Sequence, residues 1–355
     1  MADERAAPAD GDHGDPGDPG NGCSVPVRLS VIMPVYDGAA VLPASLPPLL
    51  AMRSRGEVAE ILVVDDGSGD ATRTVAEAFG VEVLASGGRR GPGGARNVAA
   101  ARAVGDVLWF VDADVVVHDD AARRMIAAFH EPEVAAVFGT YDDRPAGNNF
   151  LSQYKNLVHH HYHARAGGEA ATFWAGCGAV RKAAFLACGG FDAAAYPYPS
   201  IEDIELGYRL GQHGGRIVLA PEVRGTHLKI WRLRNLLHTD IFRRAVPWSR
   251  LIVRRTGLQD TLNISTAERR NALLALALFG AVMLAAVRVV PFWVVIAVAC
   301  VTAIANRSLF ATLRRARGVP FACAGVAFHQ LYYLYSSAAF AWCWVEHRFG
   351  AAHVP

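Results

Sequence analysis

The hydrophobic positions of residues 28–139 alternate between short apolar runs and longer stretches with helical spacing. Residues 28–33, 60–64 and 107–111 are rich in branched aliphatic side chains, as buried strands are. Strands that alternate with helices favour βαβ units, so the pattern predicts an α/β fold with a mostly parallel, doubly wound sheet. Further strands are expected over 81–84, 134–139 and 216–219, and helices over 39–52, 72–79, 95–104 and 119–129.

The pattern changes at Asn271, after which apolar residues dominate the chain. Residues 272–287 and 292–305 carry no charged side chain and together predict a membrane hairpin, while 319–345 is long enough for a span of about 20 residues. Arginines between the second and third stretches predict that this loop, and with it the preceding domain, is cytoplasmic. We therefore expect two to three transmembrane helices over 271–345 of a cell-membrane protein and a tail over 346–355. The alternative is a buried hydrophobic helical subdomain.

Two segments flank the predicted α/β domain, which covers 28–230. Residues 231–270 interleave arginines with aromatic and aliphatic side chains, which is typical of a helix in the headgroup layer of a membrane. An amphipathic helix packed on the α/β domain would show the same pattern. Residues 1–27 are rich in Asp, Gly, Pro and Ala, contain no apolar core of a signal peptide, and predict a disordered tail.

The amino-acid composition argues against several classes of function. The 355 residues carry a net charge of +2, too little for a global field that attracts nucleic acid. Hydrophobic residues make up 52%, which is high for a soluble protein, and the excess lies towards the C-terminal end. The six cysteines are scattered without Cys-x-x-Cys spacing, so we expect neither a disulfide framework nor a zinc site.

The strongest chemical signal is Asp112-Ala113-Asp114, which directly follows the apolar run 107–111. In an open α/β sheet, ligands bind at the carboxyl edge of the strands. Two carboxylates at that edge suit a hard divalent cation, Mg²⁺ or Mn²⁺, which in turn can hold a diphosphate. A solvated Asp-x-Asp turn is the common alternative, so the sequence around the motif must decide between the two interpretations.

Four segments, in this order, lie at predicted strand ends or loop-to-helix junctions. They are Ser30-Val31-Ile32-Met33-Pro34-Val35-Tyr36-Asp37, Val63-Val64-Asp65-Asp66-Gly67-Ser68, Gly91-Pro92-Gly93-Gly94-Ala95-Arg96-Asn97 and Asp112-Ala113-Asp114. Together they resemble family 2 of the glycosyltransferases over about residues 28–230. The resemblance implies the GT-A nucleotide-diphospho-sugar transferase fold. The glycines at 91–94 do not follow the first strand, which argues against a dinucleotide-binding fingerprint.

Nucleotide binding is expected from the first three of these segments. Asp66, at a strand tip, can accept hydrogen bonds from a nucleobase N–H, and Pro34 and Tyr36 would wall the base pocket. Asp37 stands where many family members have Asn. Arg96, which follows the glycine-rich stretch, offers a fixed positive charge to phosphate.

Metal binding is implied by the resemblance. The first aspartate of the family's Asp-x-Asp lies by the ribose and the metal, a role that falls to Asp112, and the second binds the cation, a role that falls to Asp114. His227 stands where several GT-A enzymes place a third metal ligand. An imidazole suits Mn²⁺ better than Mg²⁺. A structural histidine is the alternative at this position.

The acceptor side of the site is expected in the second half of the domain. Residues 174–179 and 189–192 look like the acceptor-side segments of the family. Residues 200–209 resemble the Glu-Asp segment of inverting members, which assigns the general base to Asp203 and an orienting or acceptor-binding role to Glu202. Acidic residues that favour a helix N-terminus are the alternative. The run from His159 to His163 predicts an acceptor-side or surface helix rather than a metal site.

The sequence therefore predicts an inverting, metal-dependent glycosyltransferase. It would move a single sugar from a nucleotide diphosphate sugar to a hydroxyl of a lipid-linked or membrane-associated acceptor at the cytoplasmic face. The Gln-x-x-Arg-Trp motif of processive members has no match near 231–234, which favours single addition. Three alternatives stay open: transfer to polyprenyl phosphate, a non-catalytic nucleotide-binding membrane protein, and a nucleotidyltransferase.

Overall fold

The computed structural model describes residues 27–258 and 260–350, so the tail predicted over 1–27 lies almost entirely outside the described residues. The first part of the tail predicted over 346–355 is instead the end of a helix that runs to Phe349, and residues 351–355 lie outside the described residues. Nine strands in the described part of the chain form one sheet. The strands are β1 Leu29–Val35, β2 Glu60–Asp65, β3 Glu82–Ala85, β4 Val107–Val111, β5 Val115–Val117, β6 Val134–Tyr141, β7 Gly168–Glu169, β8 Cys177–Arg181 and β9 Arg216–His227.

The sheet is mixed rather than mostly parallel. Its order is β3-β2-β1-β4-β8-β6-β9-β5, with β7 paired to β9. The pairs among β1 to β4 are parallel, as the alternation of strands and helices predicts. Beyond β4 the prediction is wrong for β8, which runs antiparallel to both β4 and β6, whereas β6 and β9 are parallel. A strand that is covered on both faces shows the same apolar run whether it is parallel or antiparallel to its neighbours. The hydrophobic pattern therefore does not indicate the direction of the strand.

Helices cover both faces of the sheet. The side chains of α1 and α4 belong to one buried core, and those of α3 and α7 belong to a second core on the other side. Strand β4 is buried along its whole length between the two. The helices of this domain are α1 Leu42–Ser54, α2 Thr72–Ala78, α3 Gly91–Arg102, α4 Ala121–Ala128, α5 Phe150–Arg165, α6 Lys182–Ala187 and α7 Glu202–Gln212.

Helix α3 begins at Gly91, four residues before the predicted start at Ala95. Gly91 has a φ of 74°, and a Cβ atom there would lie 2.5 Å from the carbonyl oxygen of Pro197, so only glycine fits. Pro92 suits the first turn of a helix because its missing N–H has no helical partner there. The glycine-rich stretch is therefore the first turn of the helix, and Arg96 is its sixth residue.

The segment predicted as an interfacial helix, 231–270, is a run of short helices packed on the α/β domain. It contains α8 Leu233–His238 and α9 Val246–Leu251, two π-helices at Thr239–Ala245 and Ile252–Thr256, and a 3₁₀ turn at Leu262–Ile264. Leu251 packs with Ile201 and Tyr208 of the α7 region. Phe242 on the same segment is 61% exposed. One face of the segment thus packs on the α/β domain, while an apolar side chain on the segment is exposed.

Three helices follow: α10 Thr266–Ala286, α11 Phe292–Ala305 and α12 Arg307–Phe349, which is interrupted by non-helical backbone at Gly318. In the described residues only α10 is long and apolar enough to cross a membrane by itself. A second span arises only if α11 and α12, bent by 70° at their junction, count as one. The expected two to three spans therefore reduce to one or two candidates, because α11 has 14 residues and an α-helix rises about 1.5 Å per residue.

Polar contacts attach these helices to the α/β domain. Tyr154 and Tyr162 of α5 contact the two ring nitrogens of His329 in α12, at 2.6 and 3.1 Å. The hydroxyl of Tyr162 also donates to Glu268 of α10, at 2.9 Å, and Tyr333 of α12 donates to the same carboxylate at 2.5 Å. The C-terminal helices are therefore docked on α5 at specific positions.

Candidate active site

One cavity of about 1230 Å³ lies at the carboxyl edge of β1, β2 and β4 and extends to the C-terminal helices. All residues that the sequence assigns to nucleotide, metal or catalysis line this cavity. They are Pro34, Tyr36, Asp37, Asp66, Arg96, Asp112, Asp114, Glu202, Asp203 and His227. Residues up to 193 positions apart in the chain thus meet in one space, which supports their assignment to a single site.

The predicted nucleotide side is built at the ends of β1 and β2. Tyr36 is 40% exposed, and the guanidinium of Arg89 lies 3.8 Å from the centre of its ring. Asp37 has a φ of 49° and accepts a hydrogen bond from the N–H of Gly69 at 2.8 Å. Arg89 is a cavity residue that the sequence prediction did not include. Its signal was weak, because it is one of two adjacent arginines in a loop.

Asp66 has a structural partner that the sequence did not indicate. Its two carboxylate oxygens accept hydrogen bonds from the backbone N–H groups of Arg90 and Gly91, at 2.8 and 2.9 Å. The side chain thereby holds the start of α3 against the tip of β2. Its predicted contact with a nucleobase stays a prediction, and it would use the remaining lone pairs of the same oxygens.

Arg96 is 2% exposed and bridges two carboxylates. Its Nη2 atom lies 2.5 Å from Asp112 and its Nη1 atom 3.3 Å from Glu202. The Nε atom is buried without a hydrogen-bond partner among the described residues. The guanidinium therefore orders the two carboxylates of the site, a role that the sequence did not predict beside the proposed phosphate contact.

Strand pairing brings the metal candidates together. Val115 of β5 pairs with His227 of β9, so the imidazole of His227 reaches the preceding Asp114, with Nε2 3.5 Å from the carboxylate. The ring of His227 stacks on Tyr141 at 4.2 Å. Burial alone would raise the pKa of Asp114, but the hydrogen bond and charge of His227 lower it below the usual value. Asp114 is therefore ionised at neutral pH.

The three metal candidates form an incomplete site. Within residues 27–258 and 260–350, no group of three or more His, Cys, Asp and Glu side chains is arranged to hold a metal ion. Asp112 instead faces Arg96, and burial raises the pKa of this carboxyl despite the opposing charge of Arg96. The donor chemistry nevertheless fits, because carboxylate oxygens and an imidazole are suitable ligands for Mn²⁺.

Asp203 lies in the first turn of α7 and has the environment of a base. One carboxylate oxygen accepts a hydrogen bond from the backbone N–H of Ala175, at 3.0 Å, and the other from that of Ile204, at 2.8 Å. Burial, followed by the charge of the adjacent Glu202, raises the pKa of Asp203 to about 7. A carboxyl that titrates near neutral pH can accept a proton efficiently. Glu202 contacts Arg96 and accepts a hydrogen bond from the N–H of Ser200 at 2.9 Å.

The histidine run lies on α5, as expected, but two of its members line the cavity. The rings of His159 and His163, one helical turn apart, are 3.9 Å from each other. His159 also lies 4.4 Å from Tyr141 and 4.6 Å from Trp174. Both nitrogens of His159 are buried without a hydrogen-bond partner in the described residues. Burial lowers the pKa of His163 to about 4 and that of His159 well below its usual value, so both rings are neutral.

Several further cavity residues come from segments that the sequence did not connect with the site. Lys155 of α5, Lys229 after β9 and Arg244 of the first π-helix supply positive charge. Tyr332, Tyr333, Ser336, Ser337 and Phe340 of α12 also line the cavity. No periodicity in the chain indicates that the C-terminal helices return to the site, because that depends on contacts between distant segments.

Comparison with known proteins agrees with this geometry. Residues 30–189 match the model of the family described as Glycosyl transferase family 2. The pre-mycofactocin glycosyltransferase of Mycobacterium tuberculosis is 27% identical over 226 residues, which cover 60% of this chain and 45% of that protein. The succinoglycan biosynthesis protein ExoO of Rhizobium meliloti is 35% identical over 101 residues, 28% of each chain. The chain thus spans about half or less of the length of these curated relatives.

A solved structure extends the likeness to most of the chain. A mannosyltransferase from Pyrobaculum calidifontis, in complex with GDP-Man and Mn²⁺, matches with a TM-score of 0.50 and 19% identity over 90% of this chain and 88% of that one. At this identity the match concerns the fold, an α/β fold of the GT-A kind with a mixed sheet. Residues 30–189, just under half of the chain, are thus similar in sequence to glycosyl transferase family 2, and the fold is of the GT-A kind.

Proposed function

We propose that the protein transfers a single sugar, with inversion, from a nucleotide diphosphate sugar to a hydroxyl of a membrane-associated acceptor. The observation that carries this proposal is the single cavity that holds the Asp-x-Asp carboxylates and Asp203 together. Asp114 is ionised there, and the pKa of Asp203 is raised to about 7. One carboxylate thus suits a cation and another suits a proton acceptor.

The donor would occupy the β1, β2 and β4 side of the cavity. Pro34 and Tyr36 would enclose the base, with Asp37, Asp66 and Arg89 as polar partners. Asp114 and His227 would hold a divalent cation, completed by Asp112 or by diphosphate oxygens. When bound, the cation would supply positive charge where the leaving diphosphate becomes negative.

The acceptor would approach from the side of α7. Its hydroxyl oxygen forms a bond to the anomeric carbon of the donor sugar, while the bond from that carbon to the diphosphate oxygen breaks. The hydroxyl proton passes to the carboxylate of Asp203, and the nucleoside diphosphate leaves with the bonding electron pair. A single displacement of this kind inverts the anomeric configuration. Glu202 and Arg96 would position the base and the first aspartate.

Membrane association is supported by the apolar surface of the C-terminal helices. Leu273, Phe279, Phe292 and Trp293 are each more than half exposed. Several exposed large apolar side chains on neighbouring helices are typical of a membrane or protein interface. We propose that the chain is held at a cell membrane through α10, with the catalytic domain on the cytoplasmic side. Where α10 and α11 enter the membrane as a hairpin, the arginines between α11 and Gly318 lie on the same side as the catalytic domain, which supports this orientation.

A polyprenyl phosphate acceptor is the second candidate, and the positive charges of Lys229 and Arg244 in the cavity favour it. Such an acceptor is already ionised, so it would not need Asp203 as a base. An Asp203→Asn variant separates the two candidates: it would lose most of its rate with a hydroxyl acceptor and keep most of it with a phosphate acceptor.

The proposal is tested by release of nucleoside diphosphate from UDP-, GDP- and dTDP-sugars. The detergent-purified protein is incubated with Mn²⁺, with and without a lipid extract. We expect release from one donor, stimulated by lipid and lost in Asp114→Ala. Asp143→Ala, which removes an exposed aspartate outside the cavity, should keep the activity. Release of pyrophosphate from a nucleoside triphosphate and a sugar 1-phosphate, without release of nucleoside diphosphate from the sugar donors, would identify a nucleotidyltransferase. Binding of nucleotide without any release would identify a non-catalytic protein.

A further inference from the structure

Three cationic side chains line the part of the cavity next to α12, and we call them the cationic cluster: Lys155, Lys229 and Arg244. Lys155 comes from α5, Lys229 follows β9, and Arg244 lies in the π-helix Thr239–Ala245. π-Helices are rare and are frequently found at functional sites. Because three distant segments converge on one space, the cluster is a built feature of the cavity rather than a run of neighbouring surface charges.

One carboxylate, that of Asp240, forms the ion pairs of the cluster in the described part of the chain. Nζ of Lys155 lies 2.6 Å from both carboxylate oxygens of Asp240, and Nη1 of Arg244 lies 3.8 Å from one of them. The hydroxyl of Tyr335 donates a hydrogen bond to the same carboxylate at 2.8 Å. Lys229 forms no ion pair within the described part of the chain. Lys155 and Arg244 therefore share one carboxylate, whereas Lys229 is attracted by the charges of Asp114 and Asp112 without forming an ion pair.

The cations of the cluster are close enough to affect one another. Burial lowers the pKa of Lys155, and although Asp240 opposes this effect, the charges of Arg244 and Lys229 lower the pKa further. An anion bound between them would relieve this repulsion, because it attracts each of the cations.

The same cavity also has an apolar wall. Leu273 and Leu276 of α10 line it and stay 67% and 42% exposed, and Phe340 of α12 lines it as well. Helix α10 is also the one helix of the described chain that could cross a membrane by itself. A ligand that fills both regions would have a negatively charged end and a hydrocarbon end.

We propose that the cationic cluster binds the phosphate of an amphiphilic acceptor whose hydrocarbon chain lies against Leu273, Leu276 and Phe340. The inference rests on the proposed function, since it gives the acceptor of that transfer a chemical class. Lys and Arg form charge-assisted hydrogen bonds to phosphate oxygens, and these are roughly twice as strong as neutral ones. A lipid phosphate and a lipid-diphosphate sugar both carry such a group. A free phosphate ion would use the cluster but not the apolar wall.

The experiment measures ligand binding to the whole 355-residue chain in detergent, without any donor. Farnesyl phosphate, farnesol and inorganic phosphate are titrated separately, and tryptophan fluorescence reports binding. We expect farnesyl phosphate to bind about tenfold more tightly than either of the other two. Arg244→Gln and Lys229→Gln should each weaken its binding by about tenfold, the effect of one hydrogen bond to a charged group. Arg102→Gln, an exposed cation of α3 outside the cavity, is the matched control and should bind as the wild type does.

Three results would overturn the inference. Farnesol binding as tightly as farnesyl phosphate would mean that the cluster takes no phosphate. Inorganic phosphate binding as tightly as farnesyl phosphate would mean that the apolar wall takes no chain. Unchanged farnesyl phosphate binding in a folded Arg244→Gln variant, checked by circular dichroism, would exclude the cluster as the site.

Nucleotide binding is measured on the same samples, with UDP or GDP and Mn²⁺. Retained nucleotide binding in Arg244→Gln, together with weakened lipid binding, supports an acceptor role for the cluster. Loss of nucleotide binding in that variant would reassign the cluster to the donor diphosphate and overturn the inference. Because the lipid titration contains no donor, its result can be read even if the proposed sugar transfer fails.

Discussion

The guanidinium of Arg96 lies 2.5 Å from the carboxylate of Asp112, and this pair joins helix α3 to the end of strand β4. The same guanidinium contacts Glu202, the residue before the proposed base, at 3.3 Å. One buried cation therefore links the proposed donor side of the cavity to the proposed acceptor side. Any change in Arg96 should affect both sides together.

Replacing Arg96 by methionine should lower the stability of the domain strongly. Removing one partner of a buried ion pair leaves the other charge uncompensated, at a cost of about 3 kcal/mol or more. The matched control is Arg102→Met, an exposed arginine on the same helix, for which we expect a change below about 0.5 kcal/mol. Urea unfolding followed by circular dichroism provides the measurement. Equal midpoints for the two variants would contradict a structural role of the Arg96 bridge.

The carboxylates of this site were predictable from the sequence because local features mark them. Asp112 and Asp114 directly follow an apolar strand, and strand ends of an α/β sheet meet at one edge. The link from Arg96 to Glu202 was not predictable, because the two residues are 106 positions apart. The early start of α3 was missed because the glycines at 91–94 resemble a loop, although Gly91 supplies the backbone that starts the helix.

The second half of the chain was harder to predict for similar reasons. The polarity of β8 depends on how the chain returns to the sheet, and an apolar run does not record it. The cavity wall formed by α12 depends on contacts such as Tyr154 with His329, which are 175 positions apart. Local patterns therefore indicated which residues at the strand ends line the cavity, whereas the wall formed by the C-terminal helices required the structure.

The rate of transfer to a hydroxyl acceptor should depend on pH through Asp203. Because the pKa of this carboxyl is raised to about 7, the base is ionised above that pH and protonated below it. The rate should be constant above about pH 7 and fall roughly tenfold per pH unit below it. Asp203→Asn should lower the rate by about 10² to 10⁴ and remove this limb. Initial rates between pH 5 and 9 test this prediction, and an unchanged limb in the variant would assign the titration to another group.

The same pKa predicts how stability changes with pH. An ordinary aspartic acid in the unfolded chain titrates near pH 3.9, whereas Asp203 in the folded protein titrates near 7. Protonation of Asp203 therefore favours the folded state, and this contribution, fully present below about pH 4, is lost as the pH rises towards 7. The free energy of unfolding of Asp203→Asn, relative to that of the wild type, should therefore be larger at pH 8 than at pH 5. Asp143→Asn, at an exposed position, serves as the control. A difference in the free energy of unfolding between Asp203→Asn and the wild type that does not change with pH would contradict the prediction.

The pair formed by Lys155 and Asp240 should be important for the docking of the C-terminal helices. Their side chains are 17% and 4% exposed, and Asp240 also accepts a hydrogen bond from Tyr335 of α12. Lys155→Met should therefore destabilise the protein by about 3 kcal/mol. The exposed pair of Arg250 with Glu346 also reaches α12, and Arg250→Met should cost less than about 1 kcal/mol. Thermal unfolding in detergent compares the two, and a larger loss in Arg250→Met would contradict the prediction.

The central claim is that the cavity performs metal-dependent sugar transfer, and a metal titration of nucleoside diphosphate release tests it most directly. The wild type, Asp114→Ala and Asp143→Ala are compared with the active donor and lipid extract as Mn²⁺ is raised from zero. We expect release to depend on Mn²⁺ in the wild type and in Asp143→Ala, and to be lost in Asp114→Ala because the ionised carboxylate beside His227 is gone. Release that proceeds equally without Mn²⁺, or equally in Asp114→Ala, would contradict the account.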